Sequence, residues 1–132
     1  LFREEHTPRV FVEKVDFVSA PGVSDAGVHR TGGPVALLTG KALFSFDRSR
    51  AGFTLESVHP GNTLPEIRAA TGFSFAHCET PRQTDMPDAA TLRLLRGPVL
   101  DELAETYPDF AERMREDLLA ASGGNETGET DD

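Results

Sequence analysis

The chain has 132 residues, a formal net charge of −9 and an apolar share of 38%. That is enough for one domain of ordinary size, with roughly two-thirds of the unfolded surface buried and no need of a disulfide or metal staple. Collagen-like, wholly disordered and membrane-spanning chains are excluded, since the longest apolar run, Val35 to Leu38, is far short of the roughly 20 residues a bilayer span needs. The single cysteine, Cys78, has no internal disulfide partner, and no basic-then-apolar leader opens the chain. A cytoplasmic protein is expected. The first residue is Leu1 rather than Met, which points to a piece of something longer. Acidity is concentrated late. Residues 1–91 carry nine Lys/Arg against eleven Asp/Glu, net −2, whereas residues 92–132 carry four against eleven, net −7. Such an end repels phosphate backbones, and no basic stripe offsets it, so nucleic acid is excluded as a partner.

In chain order, residues 1–8 read as an extended lead-in. Val10, Phe11, Val12, Val15, Phe17 and Val18 predict one strand, bent near Glu13-Lys14. Gly22 to Gly33 is a glycine-rich polar loop. Pro34 to Thr39 is a short apolar run, the pattern of a strand covered on both faces. Gly40-Lys41 then makes a two-residue, type II′ link to Ala42–Phe46, and Phe53–Glu56 alternates as a third strand. Together these give an antiparallel meander.

Thr63 followed by Glu66 is a capping box opening a two-turn helix that buries Ile67 and Ala70. Gly72 stands at C′, where a Schellman closure would fold Phe73 back onto Ile67. The stretch through Thr80, Pro81 and Pro87 reads as a surface crossing. Asp88 caps a helix carrying Leu92, Leu94 and Leu95 and ending near Gly97-Pro98. Val99, Leu100, Leu103 and Ala104 continue at helical spacing until Pro108 interrupts, and Asp109 starts a last helix to Ala121. Ser122 to Asp132 holds no large apolar residue and is expected to be disordered. The predicted organisation is therefore a sheet-and-helix part (1–97), a helical extension (98–121) and an acidic tail (122–132).

Few residues point to chemistry. His77-Cys78-Glu79 supplies three donor types, but neighbours on an extended segment face opposite sides and cannot close one tetrahedral site, so no metal is expected. Cys78 lacks a setting that would activate a thiol and reads as a small buried residue. No serine lies in a nucleophile elbow. His29, Arg30, Gly32 and Gly33 are the candidate ligand-binding residues: glycine amides can approach an anion closely, and the two side chains can add charge. The glycines precede a strand rather than a helix, so the pattern is not a phosphate loop. The apolar stripe Leu94, Leu95, Leu103, Phe110, Met114 and Leu118 could cover a core or form a subunit interface, including one between copies of the chain.

Arg9-x-Phe11-Val12-Glu13-Lys14-Val15-Asp16-Phe17-Val18-x-x-Pro21-Gly22, then Gly33-Pro34-Val35, then Ala42-Leu43-Phe44-x-Phe46-Asp47 follow one another in a familiar order. The most specific run is Leu55-Glu56-Ser57-Val58-His59-Pro60-Gly61-x-Thr63-x-x-Glu66-Ile67-Arg68-x-Ala70-Thr71-Gly72-Phe73. Over residues 9–75, with a weaker echo at Pro87–Leu95, the chain resembles the C-terminal half of the β subunits of family I CoA-transferases, the glutaconate and 3-oxoacid type. Residues 98–132 depart from the usual short ending.

The resemblance implies an α/β chain, part of a three-layer α/β/α fold in which an α and a β subunit, or fused halves, flank the active site. It implies a parent that moves coenzyme A, as substrate, between an acyl-CoA and a carboxylic acid through a glutamyl-CoA thioester, backbone amides holding the oxyanion. That glutamate and its glycine turn lie upstream of the matched stretch. Glu4, Glu5 and Glu13 lack the flanking asparagine and glycine, so no catalytic residue is carried over and no cofactor is expected on this chain. The implied partners are the α subunit or the missing N-terminal half, and acyl-CoA in the whole enzyme. Relatives of the family include hydrolases of CoA thioesters, which keeps hydrolysis open for the parent. The competing readings are a binding module docking through its C-terminal helices and, less favoured, autonomous catalysis by His29, Arg30 or Cys78.

Overall fold

Apolar alternation and short turns build the centre of the molecule, a hairpin of β2 (Ala36–Thr39) and β3 (Ala42–Asp47) extended by β4 (Gly52–Val58). All three pair antiparallel, with Leu37 opposite Phe44 and Phe46 opposite Phe53, so the predicted meander is present. One extra residue, Glu56, lies between the pairs Leu43–Ser57 and Phe44–Leu55, a β-bulge. Two-residue strands complete the sheet at its edges, β1 (Phe2–Arg3) beside β2 and β5 (Arg82–Gln83) beside β4, both parallel. The structure is a computed structural model and describes residues 1–123.

Helix α1 (Leu64–Ala70) follows β4 as predicted. Its capping box is formed: Glu66 Oε2 accepts from the backbone N–H of Thr63 (2.7 Å) and from its hydroxyl (2.8 Å). Those two bonds hold the Glu66 carboxyl below its usual range. Ile67 and Ala70 turn inward, and Ile67 joins Phe11, Leu37, Ala42, Phe44, Leu55 and Val58 in one core. Rings tile around it: Phe44 meets Phe75 edge-on at 5.3 Å and Phe53 at 6.3 Å, and Phe11 meets Phe73 at 6.1 Å. Such pairs add roughly 0.5–1.5 kcal/mol each beyond area burial.

Several local expectations are corrected. Residues 10–18 form no strand. The N–H groups of Val10 and Phe11 both bond Thr7 O, and Phe11 O is taken by Gly72, so no ladder can start there. Phe11 is buried, while Val12, Val15, Phe17 and Val18 are left exposed. β2 is covered on one face only: Leu37 and Thr39 are buried but Leu38 is 40% exposed. Gly40 and Gly72 are needed for space rather than for positive φ, which among the described glycines only Gly27 and Gly61 adopt. A Cβ on Gly40 would stand 2.6 Å from Glu4 O, and one on Gly72 2.5 Å from Phe11 O. Neither the type II′ turn nor the left-handed Schellman closure is therefore formed. The turn from Asp47 to Gly52 is held by Asp47, whose carboxylate accepts from Ser49 N (2.9 Å), Ser49 Oγ (2.6 Å) and Arg50 Nε (2.6 Å). These bonds, that from the Ser49 hydroxyl foremost, bring its pKa down to about 2.

The chain divides into two compact units at Asp85/Met86, so the Asp88-capped helix belongs to the second. In that unit α2 (Ala89–Leu94) is capped as predicted by Asp88, which accepts from Thr91 N at 2.7 Å. It does not stop at Gly97-Pro98. A widened turn, Leu95–Val99, carries the chain through non-helical dihedrals at Gly97 (φ −109°, ψ −105°) into α3 (Leu100–Thr106). Gly97 absorbs the bend that Pro98 imposes. Pro108 does separate α3 from α4 (Pro108–Gly123), but as the first residue of α4, which puts Asp109 in the first turn instead of at the cap. The predicted disordered tail begins within the last two residues of α4, and the rest of it lies outside the described residues. The α/β class is borne out.

Candidate functional site

The loop between Pro21 and Pro34 crosses the ends of β3 and β4 and leaves a groove of about 930 Å³. Its floor is Phe46 and Phe53, register partners whose rings meet edge-on at 5.0 Å. Gly22 abuts the tip of the Phe46 ring, where a Cβ would come within 2.9 Å of its Cζ. Pro21 and Val23 on one side and Pro34 and Val35 on the other form the walls, with Leu1 and Ala51 also lining it. Two arginines pin the loop: Arg30 donates to Pro21 O, and Arg48 Nη1 to Thr31 O at 3.1 Å.

Of the four candidate binding residues, Arg30 and Gly33 line this groove, whereas His29 and Gly32 do not and are exposed on the same loop. Arg30 spends one N–H on Pro21 O; its guanidinium is exposed and has further donors to offer a ligand. An apolar slot with an aromatic floor and one guanidinium is a chemistry for a mostly apolar ligand with a single anionic group.

A second constellation comes from histidines that spacing alone does not relate. His6, 3% exposed, bridges three segments: Nδ1 lies 2.9 Å from Thr39 Oγ1 and Nε2 2.8 Å from Thr71 Oγ1. Thr71 donates its own proton to Ile67 O (2.7 Å), so His6 Nε2 carries the hydrogen, while Nδ1 faces the Thr39 hydroxyl, whose single proton it shares with Ala42 O at 3.1 Å. Thr39 Oγ1 meanwhile accepts from Lys41 N (3.1 Å) and Ala42 N (2.9 Å), leaving no lone pair for a protonated Nδ1. Burial, then the Lys41 charge, push the His6 pKa below 6.5. His59 Nε2 lies 2.9 Å from the carbonyl of the same Thr39, which can only accept. Its Nδ1 therefore takes the hydroxyl of Thr84 (2.7 Å), which in turn accepts from Ser57 Oγ (2.7 Å). No pattern in the sequence could have paired these residues, which come together through tertiary contacts 20 to 65 positions apart.

His77, Cys78 and Glu79 form no site. His77 Nε2 bonds Arg68 and its Nδ1 bonds Cys78 O. Cys78 is exposed, not the buried thiol expected, because the segment after Ala76 leaves the sheet. Among the described residues no group of three His, Cys, Asp or Glu side chains could hold a metal ion, and no helix is long and apolar enough to cross a membrane.

The mixed five-stranded sheet and its helices match the α/β fold of the CoA-transferases. The chain is a relative of their β subunits, as its sequence pattern implied. It is 28% identical over 103 residues to the β subunit of the 3-oxoadipate CoA-transferase of Pseudomonas knackmussii, covering 74% of this chain and 39% of that protein. It is 31% identical over 96 residues to a cholesterol ring-cleaving hydrolase IpdB subunit of Mycobacterium tuberculosis, covering 70% and 38%. Among solved structures, glutaconate coenzyme A-transferase from Acidaminococcus fermentans superposes with a TM-score of 0.61 at 25% identity, over 72% of this chain and 39% of that one. IpdAB from Rhodococcus jostii RHA1 superposes with a TM-score of 0.66 at 29% identity, over 73% and 40%. A decarboxylase, AibA/AibB, is also similar, with a TM-score of 0.56 and 27% identity over 72% of this chain and 35% of that one. No family model matches. The chain thus spans about two-fifths of the length of the relatives it matches.

Proposed function

We propose that this chain is the scaffold part of a CoA-transferase β subunit whose parent moves coenzyme A between an acyl-CoA and a carboxylic acid. The observation that carries the reading is the agreement of sequence and fold over one stretch. The Leu55–Phe73 run that resembles the transferases is the segment that builds β4, the His59 turn and α1 in the structure. In the proposed reaction a glutamate carried elsewhere in the parent attacks the acyl-CoA carbonyl. Thiolate leaves and returns to the glutamyl carbonyl, the first acid departs, and the acceptor acid reverses the sequence. This chain contributes sheet, helix cover and the groove beneath the 21–34 strap, and it is inactive alone. Its companion is an α-type subunit, in keeping with the two-part names of IpdAB and AibA/AibB. A cytoplasmic setting follows from the acyl-CoA substrate.

The experiment is to express the parent with its companion and incubate the pair with an acyl-CoA and a second carboxylic acid. New acyl-CoA formed from the acceptor supports transfer. Free coenzyme A formed without an acceptor supports a second reading, hydrolysis, which the likeness to the IpdB subunit favours. Trapping separates the two routes, since transfer through a glutamyl thioester leaves coenzyme A covalently on the protein when the acceptor is withheld.

A further inference from the structure

Helices α3 and α4 lie beyond the stretch that resembles the CoA-transferases, and one flank of the hairpin they form is uncovered. α4 folds back along α3, with Leu100 and Ala111 buried. Arg115 Nη2 bonds Asp101 Oδ1 at 2.7 Å and closes one side of the hairpin. Helical periodicity puts Leu103 and Tyr107 of α3, and Phe110, Met114, Asp117 and Ala121 of α4, on the other side. There Leu103 is 36% exposed, Tyr107 60% and Phe110 40%. We propose that this flank docks a second copy of the chain, the two α4 helices crossing antiparallel about a two-fold axis level with Arg115.

Spacing along α4 makes the flank complementary to itself. In that crossing Arg113 of one copy meets Asp117 of the other, and Asp117 meets Arg113 in return, as a two-fold contact requires. The same register sets the bulky Phe110 ring over the small Ala121 of the other copy. One arrangement thus matches charge with opposite charge and large with small. A parallel crossing would instead bring each charge against its own kind. Within one copy the two charges are unused. Among the described residues neither Arg113 nor Asp117 pairs with another charged side chain, although they stand one turn apart, and Arg113 makes only a long 3.4 Å bond to Asp109 O.

The test is sedimentation of the 132-residue chain over roughly a hundredfold range of concentration. Reductant is present, because exposed Cys78 can otherwise link copies by itself. A reversible monomer–dimer equilibrium is expected. Arg113→Asp and Asp117→Arg each set like charges together and should each weaken the dimer about tenfold. The double variant exchanges the two charges and should return association to near the wild-type level. Phe110→Glu should leave a monomer. Arg113 and Asp117 are exposed, so the charge variants keep the helical circular dichroism and melting temperature of the wild type. A monomer throughout, association that the single reversals leave unchanged, or a double variant as weak as the singles overturns the proposal. So does Arg113→Asp abolishing binding of the companion subunit while self-association persists, which would make the companion the occupant. No readout here involves acyl exchange, so the outcome is independent of the transferase reading.

Discussion

Gly72 donates its backbone N–H to the carbonyl of Phe11 at 2.6 Å, joining the end of α1 to the turn that precedes the strap. A Cβ at Gly72 would meet Phe11 O at 2.5 Å and Val12 Cα at 3.1 Å, both backbone atoms that cannot swing aside. Gly72→Ala is therefore expected to lower stability by about 1–3 kcal/mol through forced backbone displacement, read as a shift of the urea midpoint. Gly61→Ala, at positive φ in open space, costs only the left-handed strain of about 1–2 kcal/mol and leaves the Phe11–Phe73 contact intact.

Buried His6 sets the acid limb of stability. Its pKa is lowered in the folded state, so the unfolded chain binds the extra proton and stability falls as pH drops. The loss begins near the ordinary histidine value of about 6.5 and continues down to the folded pKa. Glu5, Glu66 and Asp88, whose carboxyls are also held low, act only below about pH 4.5. Chemical unfolding between about pH 7 and pH 5 should thus show a slope that His6→Gln removes. An unchanged slope in the variant would show that another group governs it.

Thr84 holds the outer parallel strand through its hydroxyl as well as its backbone. It lies between Ser57 Oγ and His59 Nδ1, and its N–H bonds Val58 O at 2.9 Å. Thr84→Val leaves the fully buried Ser57 hydroxyl and the His59 ring short of partners, at a cost of about 1–3 kcal/mol. Hydrogen exchange should quicken at β5 before it quickens in the β2–β3 hairpin.

Ala51 sits at φ 49°, the left-handed region, in the turn closed by Asp47. Alanine is strained there by about 1 kcal/mol relative to glycine. Ala51→Gly should raise or hold the melting temperature, whereas Ala51→Val should lower it, with the Phe46–Phe53 pair unaffected.

The meander and α1 were legible because their signals are local: alternation over four to seven residues, a two-residue link at Gly40-Lys41, and Thr63 three positions before Glu66. The edge strands were not, because two-residue segments such as Phe2-Arg3 carry no pattern and are defined by residues some 36 positions away. Val10 to Val18 misled for the converse reason: β-branched composition favours a strand only when a neighbour offers free ladder groups, and Gly72 and Thr7 take the available ones. Loop composition points to His29, Arg30, Gly32 and Gly33, and of these Arg30 and Gly33 line the groove. Phe46 and Phe53 were read as strand residues and became a groove floor only once the strap crossed them. The histidine network has no one-dimensional trace, since it depends on Thr39 presenting its hydroxyl to His6 and its carbonyl to His59.

The most direct measurement is acyl exchange by the full-length parent and its companion subunit, followed by mass detection of every CoA thioester formed. Label should pass from donor acyl-CoA to the added acid, with a protein-bound thioester appearing when that acid is omitted. Turnover of neither kind, with the pair folded and assembled, would contradict the assignment.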